Sequence, residues 1–277
     1  MEIPSGVVET IRRALEEDVG PGDRTTSLLI PEKQKSSALV IAKENLILAG
    51  LPFASLVFQL LDQTVRFRSF FADGDRINKG RIIAEVSGYT SVLLKGERVS
   101  LNLLQRLSGI ATLTGIYVEK IKGLKAKIVD TRKTTPCLRF MEKYAVRTGG
   151  GCNHRFGLFD GILIKDNHIK AVGSIPKAVQ RAKSSHHLSK IEVEVENIRG
   201  LRDAITAGAD VVMLDNMSIA DMRKAVKLSN GRVVLEASGG ITLGNVREVA
   251  ETGVDLISVG ALTHSAPAVD ISLKIVK

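Results

Sequence analysis

Three glutamates recur at alternate positions in the run Ile191-Glu-Val-Glu-Val-Glu196. On an extended strand that spacing puts Glu192, Glu194 and Glu196 on one face and Val193 and Val195 on the other. If the valines pack against helices, the carboxylates point inward, and an inward carboxylate needs a cation nearby. Asp215, at the end of the next apolar run, supplies a second carboxylate. Glu194 and Asp215 together make a site for Mg²⁺, with phosphate oxygens of a substrate as its other ligands. The competing reading of the same alternation is an exposed edge strand with an outward acidic face.

Basic and polar groups are densest between Asp130 and Asp166, where Arg132, Lys133, Arg139, Lys143, Arg147, His154, Arg155 and Lys165 surround Gly149-Gly150-Gly151. An arginine fork gives a carboxylate two parallel hydrogen bonds, whereas a lysine acts as a point charge. Such a collection suits a polyanion or two separate anions. Arg139, Lys143 and Arg147 recur at helical spacing and read as a solvated helix face. His154, which follows the triple glycine and adjoins Arg155, reads as a ligand-binding histidine. Two glycine signals lie further on: Ser238-Gly239-Gly240-Ile241, before a helix that Thr242 is placed to cap, and Gly260-Ala261. Glycines there let backbone N–H groups approach a phosphate, and a helix N-terminus favours the anion.

The elements that must position these groups follow from the apolar pattern. Strand-like runs lie at Ala126 to Val129, Gly161 to Ile164, Ile191 to Val195, Asp210 to Leu214, Val233 to Leu235 and Leu256 to Val259. Helix-like stretches at Ile175 to Ala182, Ile198 to Ala207, Ile219 to Leu228 and Leu243 to Glu251 separate most of them, which predicts parallel βαβ units. Six strands fall short of the eight in a closed barrel, so an incomplete or modified α/β barrel is expected. Ligands in such folds bind beyond the carboxyl ends of the strands, and each of these six ends is charged, polar or glycine.

Before the barrel, residues to about Gly96 mix an N-terminal helix with β-like runs at Ala38 to Ala42, Val65 to Phe71 and Ile82 to Val86. The stretch from Asp73 to Gly88 resembles the hammerhead turns of lipoyl and biotinyl carrier domains without their modified-lysine hairpin, so it reads as a structural turn unit. Glu97 to Lys122 reads as a joining helix, with Val99, Leu103, Leu107 and Ile110 on one face.

The net charge of +9 admits nucleic acid, an anionic membrane or anionic small substrates as partners. Aromatic residues are only 4% of the chain and tryptophan is absent, so platforms for stacked bases are scarce. Together with the lack of a dense Lys/Arg run, this favours anion sites for small molecules over nucleic acid. No apolar run approaches membrane-spanning length, no leader is visible, and the expected compartment is the cytosol. Cys137 and Cys152 have no zinc-ligand spacing and read as reduced and structural.

Several strings together resemble the quinolinate phosphoribosyltransferase family over essentially the whole chain. They are Glu97-Arg98 with Leu101-Asn-Leu-Leu-Gln105 and Ser108-Gly-Ile-Ala-Thr112, Asp130-Thr-Arg-Lys-Thr-Thr-Pro136, Lys143-Tyr-Ala-Val146, Gly149-Gly-Gly151 with His154-Arg155, Lys165-Asp-Asn-His-Ile169, Glu192-Val-Glu194 and Ser258-Val-Gly-Ala-Leu-Thr-His264. The resemblance implies an N-terminal α/β sandwich domain over residues 1–108, counting part of the joining helix, followed by an incomplete α/β (TIM-like) barrel over 109–277. It implies a homodimer or an assembly of dimers that converts quinolinate and phosphoribosyl pyrophosphate to nicotinate mononucleotide, pyrophosphate and CO₂, a step of de novo NAD synthesis.

By the same resemblance Arg132, His154, Arg155 and Lys165 bind the quinolinate carboxylates, with Arg98 reaching in from a second subunit. Lys133 lies between the substrates, Glu194 and Asp215 hold Mg²⁺, and Ser238, Gly239, Gly260 and His264 line the 5-phosphate site, where Gly240 and Ala261 complete the glycine grip. Two rival readings remain: a sister phosphoribosyltransferase of the kind found with molybdate transport systems, and a noncatalytic anion-binding or nucleic-acid-binding barrel. Inward carboxylates at both Glu194 and Asp215 argue against the second, because a polyanion binder gains nothing from them.

Overall fold

The structure, a computed structural model, describes residues 2–185 and 188–276. Contacts divide the chain into two compact units: residues 1–115, 134–150 and 263–277 in the first, 116–133 and 151–262 in the second. No helix among the described residues is long and apolar enough to cross a membrane.

The first unit opens with α1 (Ser5–Val19), whose buried residues Val7, Ile11 and Leu15 recur at four-residue spacing. After α2 (Arg24–Leu29), capped by the Asp23 carboxylate on the N–H of Thr26, come β1 (Lys35–Ala42) and β2 (Leu46–Ile47). Helix α3 (Leu51–Leu61) follows Gly50, whose φ of +108° is a conformation that favours glycine. The Asp73 carboxylate accepts from the N–H groups of Gly50 and Leu51, so the Asp73-Gly74-Asp75 turn closes the start of this helix. Next come β3 (Arg66–Ser69), β4 (Arg76–Ile77), β5 (Ile82–Tyr89) and the 31-residue α4 (Thr90–Lys120), which belongs to this unit as far as Gly115. Strand β6 (Lys127–Val129) lies in the second unit, and the chain then returns to the first for α5 (Arg139–Thr148).

The rest of the second unit alternates β7 (Ile162–Ile164), α6 (Asp166–Val172), α7 (Ile175–Ser184), β8 (Ile191–Val195), α8 (Ile198–Ala207), β9 (Val211–Asp215), α9 (Ile219–Ser229), β10 (Val234–Ser238), α10 (Val246–Ala250) and β11 (Leu256–Ser258). After α11 (Ala261–His264), β12 (Ile271–Val276) returns to the first unit. There it pairs antiparallel with β1 in a sheet ordered β12-β1-β5-β3, with Val40 opposite both Leu273 and Ala84. Ala38, Val40, Val86, Phe58, Leu93, Leu104 and Ile271 form part of the core on this sheet. Where α4 approaches the 267–268 segment, a Cβ at Gly109 would sit 2.0 Å from the Pro267 carbonyl oxygen, so only glycine fits.

A buried acid ties α5 into this unit. Glu142, with no exposed side-chain surface, accepts from Arg106 Nη2 at 2.8 Å, from Thr135 Oγ1 at 2.8 Å and from the Thr135 N–H at 3.0 Å. Arg106 also donates to the carbonyls of Ala266 and Thr263. Removing one partner of a buried pair leaves the other charge uncompensated, at a cost of about 3–5 kcal/mol. Urea unfolding of Glu142→Ala is expected to show a loss of about that size, and Glu142→Gln a smaller one. Lys143 on the same helix is only 2% exposed, which corrects the reading of Arg139, Lys143 and Arg147 as a solvated face. Only Arg147 is exposed, because α5 buries Met141, Ala145 and Val146 and Lys143 with them.

The second unit is a six-stranded parallel sheet ordered β6-β11-β10-β9-β8-β7. All six expected strands are present. Strand β8 lies between β7 and β9, so it is not an edge strand, and Val193 and Val195 are buried while Gly200 of α8 packs on Val195. Ser174, Asn197 and Ser218 cap α7, α8 and α9 through their side-chain oxygens. With an antiparallel-sheet unit and a six-strand parallel unit of incomplete-barrel type, the fold class is the expected one. Both cysteines are free.

Candidate active site

Because the six strands are parallel, their carboxyl ends share one edge of the sheet. That edge brings together Arg132 and Lys133 after β6, Gly260 and Ala261 after β11, Ser238, Gly239 and Gly240 at the end of β10, Asp215 at the end of β9, Glu194 on β8 and Lys165 after β7. His154 and Arg155 reach it by a different route. Cys152 makes an isolated parallel bridge to Val129, and the Asp130 carboxylate then accepts from the His154 N–H at 2.8 Å and from Asn153 Nδ2. Asp130 is thus the anchor that places the two basic residues. Arg98, exposed on α4, and His264, exposed with Nδ1 2.6 Å from the Ser265 hydroxyl, belong to the first unit.

The basic half of this edge is arranged for an anion. Burial first, and the Arg132 guanidinium second, lower the pKa of Arg155 from its ordinary value. Two guanidinium groups close enough to oppose each other's charge are relieved by an anion between them, and their forks match a carboxylate. Arg155 is held from behind by its Nη1 donating to the Gly161 carbonyl at 3.0 Å. Lys133 is exposed, its backbone N–H donating to Thr131 Oγ1.

The acidic half has two parts. Lys165 Nζ lies 2.5 Å from Glu194 Oε2, and Asp215 accepts from Asn216 Nδ2 at 2.9 Å. Lys165 is also the N-cap of α6, a short helix absent from the stretches that the apolar pattern predicts, and its N–H donates to His168 Nδ1. Glu194 and Asp215 come from neighbouring strands, with Val195 opposite Leu214. Two carboxylates with hard oxygen donors are what Mg²⁺ takes from a protein when substrate phosphates complete its shell, and Lys165 shows that Glu194 accepts a cation partner, so the residues fit the ion.

The second part is a cluster of His154, Glu192 and Glu236 whose ligating atoms all lie within 4.8 Å of one another. His154 Nε2 is 2.9 Å from Glu192 Oε2 and 3.6 Å from Glu236 Oε2. Glu236 is fully buried, and among the described residues neither of its oxygens, nor Glu192 Oε1, has a hydrogen-bond partner. Burial first, and the Glu192 carboxylate second, push the Glu236 carboxyl well above the usual carboxylate range. An unsatisfied buried acceptor costs about 1–3 kcal/mol, so this cluster is a local departure of the kind that marks functional sites. His154 Nδ1 accepts from the Arg155 N–H at 2.8 Å, which puts the ring proton on Nε2. A metal-ligating histidine needs the reverse, a bare Nε2 with Nδ1–H facing an acceptor, so this geometry does not suit a metal. The alternation in the sequence places Glu192 on the inward face but gives no sign of Glu236.

The glycine loops depart from expectation in one respect. Gly239 has φ +88°, and a Cβ there would lie 2.2 Å from Asn216 Oδ1, so the loop after β10 closes on the loop after β9 only with glycine; Gly240 has φ +63°. Thr242 does not cap the next helix. The Asn245 side chain accepts from the Thr242 N–H and donates to the Gly240 carbonyl, and α10 starts only at Val246. Since α10 and α11 have five and four residues, backbone N–H groups of the loops, rather than a helix dipole, are what this edge offers a phosphate.

Comparison with known proteins gives a consistent result over the chain. Residues 23–108 match the family model described as quinolinate phosphoribosyl transferase, N-terminal domain, and residues 110–274 match that of the C-terminal domain. A probable nicotinate-nucleotide pyrophosphorylase [carboxylating] of Bacillus subtilis is 50% identical over 94% of this chain and 90% of its own length. A quinolinate phosphoribosyltransferase [decarboxylating] of Nicotiana tabacum is 41% identical over 96% of this chain and 81% of its own. Among solved structures, the nicotinate-nucleotide pyrophosphorylase of Francisella tularensis superposes with a TM-score of 0.96 at 43% identity, covering 99% of this chain and 98% of that one.

Proposed function

The chain belongs to the quinolinate phosphoribosyltransferase family, and from that premise we propose how its residues carry out the transfer of a 5-phosphoribosyl group to quinolinate with loss of CO₂. The observation that carries the assignment of roles is the paired, partly buried Arg132 and Arg155 on the same sheet edge as the Glu194 and Asp215 carboxylates. A dicarboxylate takes the arginines, with Lys165 and His154 beside them and Arg98 contributed by a second subunit. A phosphorylated sugar takes the other side, its 5-phosphate on Ser238, Gly239, Gly240, Gly260 and Ala261.

In the reaction the pyridine nitrogen bonds to C1 of the ribose as the C1–pyrophosphate bond breaks, and positive charge develops on the sugar. Glu194 and Asp215 would hold Mg²⁺, which when bound would supply charge neutralisation for the leaving pyrophosphate. Lys133, between the substrates, adds a positive charge beside that leaving group. The arginine forks fix the ring so that its nitrogen faces C1, which turns the encounter of two substrates into a step within one complex. Once the ring nitrogen is ribosylated, its positive charge stabilises the electron pair left on the adjacent ring carbon when the carboxylate there leaves as CO₂, and a proton then adds to that carbon. A homodimer in the cytosol completes this reading.

Geometry, not charge alone, is what the arginines supply. Arg132→Lys and Arg155→Lys keep the charge but lose the fork, and each is expected to raise the KM for quinolinate by about tenfold or more, with the KM for phosphoribosyl pyrophosphate nearly unchanged. Wild-type quinolinate kinetics in both variants would place the clamp elsewhere.

A further inference from the structure

We propose that Glu192 and Glu236 are positioning residues of the acid-binding clamp: reaching in from β8 and β10, they fix the His154 imidazole, and through it the backbone that carries Arg155. The proposal rests on the reading that Arg155 grips the aromatic dicarboxylate.

The His154 ring is bridged at both nitrogens, with Nε2 on Glu192 at 2.9 Å and Nδ1 on the Arg155 N–H at 2.8 Å. An Nδ1 that accepts leaves the proton on Nε2, so Nε2–H donates to the Glu192 carboxylate and the tautomer is set. The ring is therefore a strut between β8 and the Arg155 backbone. Two further ties hold the same short segment: Asp130, at the end of β6, accepts from the His154 N–H, and Arg155 Nη1 donates to the Gly161 carbonyl. Together they fix both the main chain at 154–155 and the start of the guanidinium's approach.

Glu236 stands behind the strut. Its nearer oxygen is 3.6 Å from Nε2, beyond a good hydrogen bond but within reach of a small ring movement, and the carboxyl is fully buried. With Glu192 it gives Nε2–H acceptors on two sides, so the ring cannot turn its proton elsewhere without losing both. Neither carboxyl needs to touch the substrate to act; each acts by orienting a residue that does.

The test combines histidine ¹⁵N NMR of the acid-free protein with steady-state kinetics of Glu192→Ala, Glu192→Gln, Glu236→Ala and Glu236→Gln, the His154 signal being assigned by its loss in His154→Gln. The wild type is expected to show His154 locked as the Nε2–H tautomer. Each alanine variant is expected to shift that signal toward a mixture of tautomers and to raise the KM for quinolinate by about ten- to a hundredfold, while the KM for phosphoribosyl pyrophosphate stays within about twofold, which also shows that the variant has folded. The glutamine variants, which keep an acceptor oxygen, are expected to recover most of the quinolinate affinity. An unlocked His154 in the wild type, or wild-type quinolinate KM in both alanine variants, overturns the proposal. If instead Arg155→Lys leaves the quinolinate KM unchanged while the tautomer shifts in Glu192→Ala, the strut stands and the clamp reading is what fails.

Discussion

Glu194→Ala and Asp215→Ala are each expected to lower kcat by about a thousandfold, the size of several kcal/mol of lost charge stabilisation. The two acids sit at the ends of adjacent strands β8 and β9, and Glu194 already holds a cation partner in Lys165 at 2.5 Å. If the two acids hold the ion, deleting Glu194 would remove one oxygen ligand and free Lys165, so some positive charge would remain beside the vacated position. Deleting Asp215 would remove the other proposed ligand with no such compensation, and its loss is expected to be at least as severe. Excess EDTA is expected to stop the wild type, and Mg²⁺ or Mn²⁺ to restore it. Full activity of either variant, or of the wild type in EDTA, refutes the metal assignment.

Mixing Arg98→Ala with Lys133→Ala is expected to recover activity that neither variant has alone. Arg98 is exposed on α4, and an exposed arginine has little value for stability, so its loss should leave folding intact. If Arg98 completes the partner's site in a two-fold dimer, a mixed dimer gathers both defects in one site and neither in the other. About half of the wild-type activity per mixed dimer should then return. The measurement is turnover after verified subunit exchange. Failure to recover places Arg98 in its own subunit's site or outside catalysis.

The parallel sheet was legible because buried strands between amphipathic helices leave short apolar runs with polar ends, and those ends carry the proposed site. Glu192 and Glu194 were legible for the related reason that an alternating strand states its own two faces. Glu236 was not, since a glutamate after Val233-Val-Leu235 reads as the end of a strand, whereas β10 continues to Ser238. The same period of two would have found it, because Glu236 shares a strand face with Ser238. Helix α3 was hidden by a different cause: Leu51 to Leu61 is apolar on nearly every side, so it lacks the one-sided period that announces a surface helix. Strand β12 pairs with β1 across almost the whole chain, and local pattern carries no trace of a partner so distant. The tautomer of His154 and the tie from Asp130 depend on a turn of the backbone after Cys152, which residue types alone do not specify.

The most direct test of the central claim is to supply the purified protein with quinolinate, phosphoribosyl pyrophosphate and Mg²⁺ and to follow CO₂, pyrophosphate and nicotinate mononucleotide together. The account predicts the three products in equal amounts, with none formed when either organic substrate is withheld. Absence of turnover by a folded, metal-supplied protein, or pyrophosphate release without CO₂, contradicts it.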